Sequence, residues 1–274
     1  MIRRKIYNFL HPIVGEIWCL HRVVPERSLF PSNRELEITP DYLEQLITDR
    51  LSLGYRFVDT DTFVQKATHC CADRKLINIT FDDGFSDIYE EAYPILKRLG
   101  IPFTIYVTTD MPDGKVDLWW LQLEQLANGD KAWFEQTMSA IYASKKPIAT
   151  AMHTLTNSTP DSTLCQRLAL SWDTLRTMLA KGLCTIGSHG VSHSALTLLS
   201  PEQAMQELTA SRQRLETMLG TKVQHFSYPH SFYNDETNQL VRQAGYRTAV
   251  IGYGGSTRRQ HNRHLFYRNN IVQP

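Results

Sequence analysis

The stretch Leu76-Ile77-Asn78-Ile79-Thr80-Phe81-Asp82-Asp83-Gly84-Phe85 decides the fold. Its first half is an apolar, β-type run, the pattern of a strand buried in a sheet. Gly84 ends the run and permits a sharp turn. Asp82 and Asp83 therefore fall at the carboxyl end of a strand, where α/β folds gather their chemistry. Neighbouring side chains of a regular strand point to opposite faces. A turn at Gly84 relaxes that alternation and lets both carboxylates face one site in different roles. The competing reading is an Asx-type turn with solvated acids, and this stretch alone does not choose between them.

A second stretch tips the balance. Cys184-Thr185-Ile186-Gly187-Ser188-His189-Gly190-Val191-Ser192-His193 is another short apolar run that ends in polar residues. His189 and His193 are spaced i, i+4, and on a helical turn that spacing puts both imidazoles on one face. Two imidazoles and one carboxylate make a three-ligand metal site with an open position for water. A His pair alone is commonly a surface accident. Joined to paired aspartates at another strand end, it becomes a candidate metal site.

Thr80-Phe81-Asp82-Asp83-Gly84 followed by Ser188-His189-Gly190-Val191-Ser192-His193 resembles the polysaccharide deacetylases, carbohydrate esterase family four. The similarity is concentrated in residues 76–109 and 171–235, with a weaker match at 17–25. Gly190 departs from the family's usual Ser or Thr. The resemblance implies an irregular, incomplete seven-stranded (β/α) barrel. It also implies that Asp82 is the catalytic base and that Asp83, His189 and His193 hold one divalent metal. Zinc suits two nitrogens and one oxygen, and cobalt or nickel would serve as well.

Two further family features are altered. The family's third motif offers a backbone N–H to the developing oxyanion from an aromatic residue after a proline. Here Phe226-Ser227-Tyr228-Pro229-His230 puts His230 at that position, and a backbone donor needs no particular side chain. The Arg that usually opens the motif is replaced by Ser227, which leaves Asp82 without its expected partner. Arg268 is a candidate substitute, with a surface ion pair as the alternative. The family's acid is a His near the carboxyl end of the chain, and nothing after residue 230 matches it well. Ile17-Trp18-Cys19-Leu20-His21-Arg22-Val23 has the right form at the amino end, as in the circularly permuted poly-N-acetylglucosamine deacetylases. His21 is therefore the expected general acid, since a free imidazole pKa of about 6.5 suits proton transfer near neutrality.

Composition is consistent with an ordinary globular chain. The 274 residues fit one barrel-sized α/β domain, residues 1–274, and 42% of them are hydrophobic. Lys plus Arg is 29 against 28 for Asp plus Glu, which argues against a nucleic-acid surface. The five cysteines are odd in number and scattered, with Cys70 and Cys71 adjacent, which suits a reducing compartment. Met1-Ile2-Arg3-Arg4-Lys5 is basic, and an apolar-leaning segment comes next. Asn8, His11, Pro12 and Glu16 interrupt that segment, and no cleavage site appears after it. The sequence therefore suggests a cytoplasmic protein, with a basic arm on a membrane surface as the lesser alternative and oligomeric state left open.

Strands are expected at 16–24, 57–59, 76–81, 102–108, 184–188, 223–229, 247–251 and 265–271. Helices are expected after Thr39, at 60–68, 86–99, 171–181, 201–219 and 234–244, most of them stopped by Gly. Residues 26–38 and 66–75 read as loops. Residues of about 110–170 read as a helical lobe inserted beside the barrel, with Trp119 and Trp120 as core packing rather than sugar platforms. The chemistry expected is metal-dependent removal of an N-acetyl group from an amino sugar in an oligo- or polysaccharide or its precursor. The alternatives are a metal-dependent amidase on a non-sugar amide and a non-catalytic carbohydrate-binding domain.

Overall fold

The computed structural model describes residues 12–69, 75–259 and 262–274. Met1–Lys5, Cys70, Cys71 and His261 lie outside the described residues. The strands in chain order are β1 (Ile13–Leu20), β2 (Arg22–Val23), β3 (Glu37–Ile38), β4 (Arg56–Phe57), β5 (Leu76–Phe81) and β6 (Phe103–Val107). Then come β7 (Cys184–Ser188), β8 (His225–Ser227), β9 (Thr248–Gly254), β10 (Thr257–Arg258) and β11 (Phe266–Asn270). Seven of them close a parallel ring in the order β1, β5, β6, β7, β8, β9, β11 and back to β1.

The seams of the ring are uneven. β1 and β5 pair from Gly15↔Leu76 through Leu20↔Phe81, whereas β7 and β8 share the single pair Ser188↔Phe226. Gly15 is required at the tight seam, because a Cβ there would sit 2.1 Å from the Leu76 carbonyl oxygen. This is the expected irregular barrel of seven strands rather than eight.

Apolar side chains divide by face. Trp18, Leu20, Ile77, Ile79 and Phe81 join the large cluster between the strands and the outer helices. Val14, Ile17, Tyr106, Val250 and Phe266, from β1, β6, β9 and β11, form another cluster together with Leu76 of β5 and Phe63, Val64 and Ala67 of the helix Thr60–His69. The period-two alternation of each strand produces this division. Outside, Thr39 caps the helix Pro40–Ser52 by accepting from Tyr42 N–H, and a Ser200–Gln203 capping box starts Pro201–Leu219. Gly100 and Gly220 take left-handed conformations and end their helices.

Several boundaries differ from the sequence expectation. The first strand begins at Ile13 and breaks at His21, and β2 pairs with β3 instead of the ring. The loop read over 26–38 contains a helical turn, Pro31–Arg34, as well as β3. The helix expected over 86–99 is a π-helical turn, Ile88–Ala92, followed by the α-helix Tyr93–Leu99. Pro94 explains the change, because it has no N–H for the α-helical bond to residue 90. Between β6 and β7 the insertion holds helices Trp119–Ala127, Lys131–Ala143, Ile148–Thr156 and Ser162–Leu168. They have their own apolar cluster, which also takes in Phe30 and Phe85.

Candidate active site

The carboxyl ends of the ring strands surround a cavity of about 370 Å³. Asp82, Asp83, His189, His193, His21 and His230 all line it. Arg268 lies behind Asp82, so the structure gathers every residue singled out in the sequence around one cleft.

Asp82 continues β5, its N–H bound to the Leu20 carbonyl, and its carboxylate is fully partnered. Arg268 reaches from β11 and donates from Nη1 to Oδ1 at 2.8 Å and from Nη2 to Oδ2 at 2.5 Å. Ser227 Oγ donates to Oδ2 at 3.1 Å. Arg268 is itself fixed by the Ile251 carbonyl and Thr80 Oγ1, and it lies over the Tyr106 ring. It is 1% exposed, which excludes the surface ion pair. Burial pushes the Asp82 carboxyl up, but the guanidinium outweighs it and holds the group well below the usual carboxylate range. The bidentate clamp thus restores the partner that Ser227 in place of Arg had removed. Cys19 Sγ also approaches Asp82 Oδ2, at 3.9 Å, and burial pushes its thiol far up, so it stays protonated.

Asp83 has the opposite surroundings. Its φ of 71° is left-handed, so the turn begins at Asp83 itself, one residue before Gly84. That twist swings its carboxylate onto the same side as Asp82. Oδ1 of Asp83 is buried with no hydrogen-bond donor, and it faces His189 Nε2 at 3.5 Å and His193 Nε2 at 3.3 Å. His189 Nδ1 lies 2.7 Å from the Ser227 carbonyl, which requires the proton on Nδ1 and leaves the Nε2 lone pair facing Asp83. One ligand atom from each of Asp83, His189 and His193 lies within 4.8 Å of the others. Burial raises the Asp83 carboxyl to about 6 and lowers both imidazoles, His193 strongly. An orphaned buried oxygen facing two neutral imidazoles is a donor set that fits a divalent cation.

The histidine pair does not lie on a helical turn. His189 follows β7 directly, and His193 sits in a loop with φ 61°. Glu207 of the helix Pro201–Leu219 shapes that loop by accepting from Val191 N–H, Ser192 N–H and Ser192 Oγ. Gly190 has φ +83°, and a Cβ there would come 3.1 Å from Glu207 Oε2, which accounts for glycine in place of Ser or Thr. His230 is also left-handed, with φ 56°. Its ring lies 4.4 Å from that of His193, and burial lowers its imidazole to about 4. With Ser231 at φ 58°, four non-glycine residues around one cavity are therefore held in a sparsely populated region, where functional sites concentrate strain.

His21 lines the cavity at the break between β1 and β2, and its Nδ1 is buried without a partner. Burial lowers its pKa. His264 is bound to the Tyr246 carbonyl and does not line the cavity. Trp120 was missed as a site residue. It is 6% exposed, as core packing requires, yet it lines the cavity with its ring 5.4 Å from His193. The paired tryptophans beside a helical run were the only signal of it.

The family profile described as Polysaccharide deacetylase matches residues 69–249, more than half of the chain. The chain belongs to the polysaccharide deacetylase family. Asp82, Asp83, His189, His193 and His230 fall inside the matched deacetylase region, whereas His21 and Arg268 fall outside it. YxkH of Bacillus subtilis, whose name places it provisionally among the polysaccharide deacetylases, is 26% identical over 194 residues, 71% of this chain and 50% of its own length. The chain thus spans half the length of this curated relative. IcaB from Ammonifex degensii matches with a TM-score of 0.67 and 21% identity over 96% of this chain and 93% of its own. The Streptococcus pyogenes deacetylase PplD, determined in complex with acetate, matches with a TM-score of 0.62 and 20% identity over 87% and 84%. At these identities the two structures establish a shared fold. No helix of the described residues is long and apolar enough to cross a membrane.

Proposed function

We propose that this deacetylase-family chain hydrolyses the N-acetyl group of an amino sugar, using one divalent metal held by Asp83, His189 and His193. The observation that carries the proposal is the contrast of two adjacent carboxylates at one cavity. Asp82 is saturated by Arg268, and Asp83 is left without a partner opposite two imidazoles. A bound zinc, cobalt or nickel ion supplies a more acidic water and a polarised carbonyl.

The chain's own groups supply the remaining steps. Asp82, kept ionised and fixed by Arg268, accepts the proton of the attacking water. The backbone N–H of His230, which lines the cavity, would donate to the oxygen on which charge develops. His21 delivers a proton to the nitrogen as the C–N bond breaks, because an amine leaves poorly unprotonated. The negative charges of Asp82 and Asp83 favour the protonated imidazole and oppose the effect of its burial. We assign residues of about 110–170 to this same site, since their side chains wall its cavity.

Elemental analysis of purified protein, paired with acetate release from a panel of N-acetylated sugars, tests the proposal. About one divalent metal per chain and acetate from at least one sugar are expected, with the metal lost in His189→Ala. Equal metal content in the two proteins overturns the ligand set. Acetate from non-sugar amides alone points to the amidase alternative, and acetate from no substrate points to a binding domain.

A further inference from the structure

The inserted helices form an arch over the mouth of the barrel. On one side they are tied to the segment between β2 and β3. Asn33 Nδ2 donates to the Trp120 carbonyl at 3.1 Å and to Glu124 Oε2 at 2.6 Å. Ser32 Oγ donates to Glu135 Oε2 at 2.8 Å, and Phe30 packs on Phe134 with ring centroids 4.7 Å apart. On the other side Tyr142 lies 6.4 Å from both His230 and Phe232, beyond β8, while Trp120 meets His193, beyond β7. The insertion leaves the ring after β6 and touches rim segments that follow β1, β7 and β8. It therefore borders the rim on those sides, and Gly252 and Tyr253 of β9 and Asn270 of β11 line the cavity apart from it.

The cavity volume of about 370 Å³ lies at the small end of the ~300–1,000 Å³ range of small-molecule sites. It accommodates a sugar ring with its acetamide. A polymer lying across the metal-facing carboxylates would have to run through the arch, and the hydrogen bonds of Ser32 and Asn33 join that arch to the barrel. No Lys or Arg is among the described residues lining the cavity, so none of these side chains offers an ammonium or guanidinium group to a phosphate or a uronic acid. Trp120 offers an apolar ring face to a neutral sugar.

We infer that this site takes the terminal, neutral N-acetylhexosamine of its substrate, one sugar unit deep, with the remainder of the molecule leaving past Tyr253. Tyr253 is 55% exposed and flanks the opening with its ring. This rests on the deacetylase function proposed for the same site and goes beyond it by fixing which residue of a chain can react. Internal residues of a polysaccharide are excluded by the arch, and substrates longer than a disaccharide gain few contacts.

The test uses the metal-loaded full chain with N-acetylglucosamine, its β-1,4 disaccharide and its pentasaccharide. Acetate release is measured, and mass spectrometry locates the free amine. The expected result is a single free amine at one end of the pentasaccharide, with kcat/KM changing less than about threefold between disaccharide and pentasaccharide. Free amines at internal positions, or kcat/KM rising tenfold or more with length, overturn the inference while leaving the deacetylase reading intact. Acetate from none of the sugars removes both. Tyr142→Ala, which opens the arch toward β8, is expected to raise the ratio of pentasaccharide to disaccharide kcat/KM at least threefold. An unchanged ratio denies the arch its role.

Discussion

On the Asp82 side of the site every charge has a partner within the protein, whereas on the Asp83 side a buried oxygen faces two imidazoles and has no hydrogen-bond partner. The two carboxylates are equally hidden, at 3% and 5% exposure, so burial does not distinguish them. The difference is Arg268, which holds Asp82 ionised while Asp83 rises to about 6. A buried carboxylate remains ionised only beside a positive charge, and the fold provides one of the two charges required. The Asp83 side thus has the properties of a cation site, and the Asp82 side those of a carboxylate held ionised.

The sharpest way to break this contrast is to neutralise Asp82. Asp82→Asn should keep the wild-type metal content and fold while deacetylation falls by roughly 10²–10⁴-fold. Loss of metal in this variant would exchange the roles of the two aspartates. Next in size is His21, which approaches the site from the side of β1. His21→Ala should retain metal and lose about 10²-fold on an N-acetyl sugar, but less than tenfold on an activated ester whose leaving group needs no proton. Equal losses on the two substrates would remove its role as acid.

The smallest expected effect comes from the other end of the barrel. His225, at the start of β8, is as buried as His189, yet its Nδ1 meets Thr248 Oγ1 at 2.7 Å and its Nε2 lies 3.3 Å from Asp61. Burial lowers its imidazole to about 4. The folded value lies below the unfolded one, so the stability it contributes is complete above about pH 6.5 and is lost as pH falls from there toward 4. In metal-free protein, the urea-unfolding stability of wild type should fall between pH 7 and pH 4.5 by about 2 kcal/mol more than that of His225→Gln. Parallel pH profiles would show that buried histidines here are set by something other than burial, which would weaken the account of His189 as well.

The sequence disclosed the order of strands and helices because glycine stops, proline starts and apolar runs are local signals. Asp83, His189 and His193 were legible because each lies within a short motif at a strand end. The fixing of Asp82 was not, since Arg268 is 186 residues away and Arg is an unremarkable residue on any strand. The helical turn expected for His189 and His193 failed because an i, i+4 spacing does not reveal a left-handed φ at His193 or the three hydrogen bonds to Glu207 that bend the loop. Trp120 was read as core, correctly, and its second surface on the cavity depends on how the insertion folds back, which no local pattern encodes.

The clamp between Asp82 and Arg268 also bears on how the chain acquires its activity. It joins β5 to β11 across most of the polypeptide, and such distant pairings form late because the loop they close is costly in entropy. Without β11, Asp82 has no guanidinium partner. Its buried carboxylate then favours the neutral form, which is a poor proton acceptor. In the proposed mechanism, hydrolytic competence thus depends on the shutting of the ring, even when both imidazoles are in place.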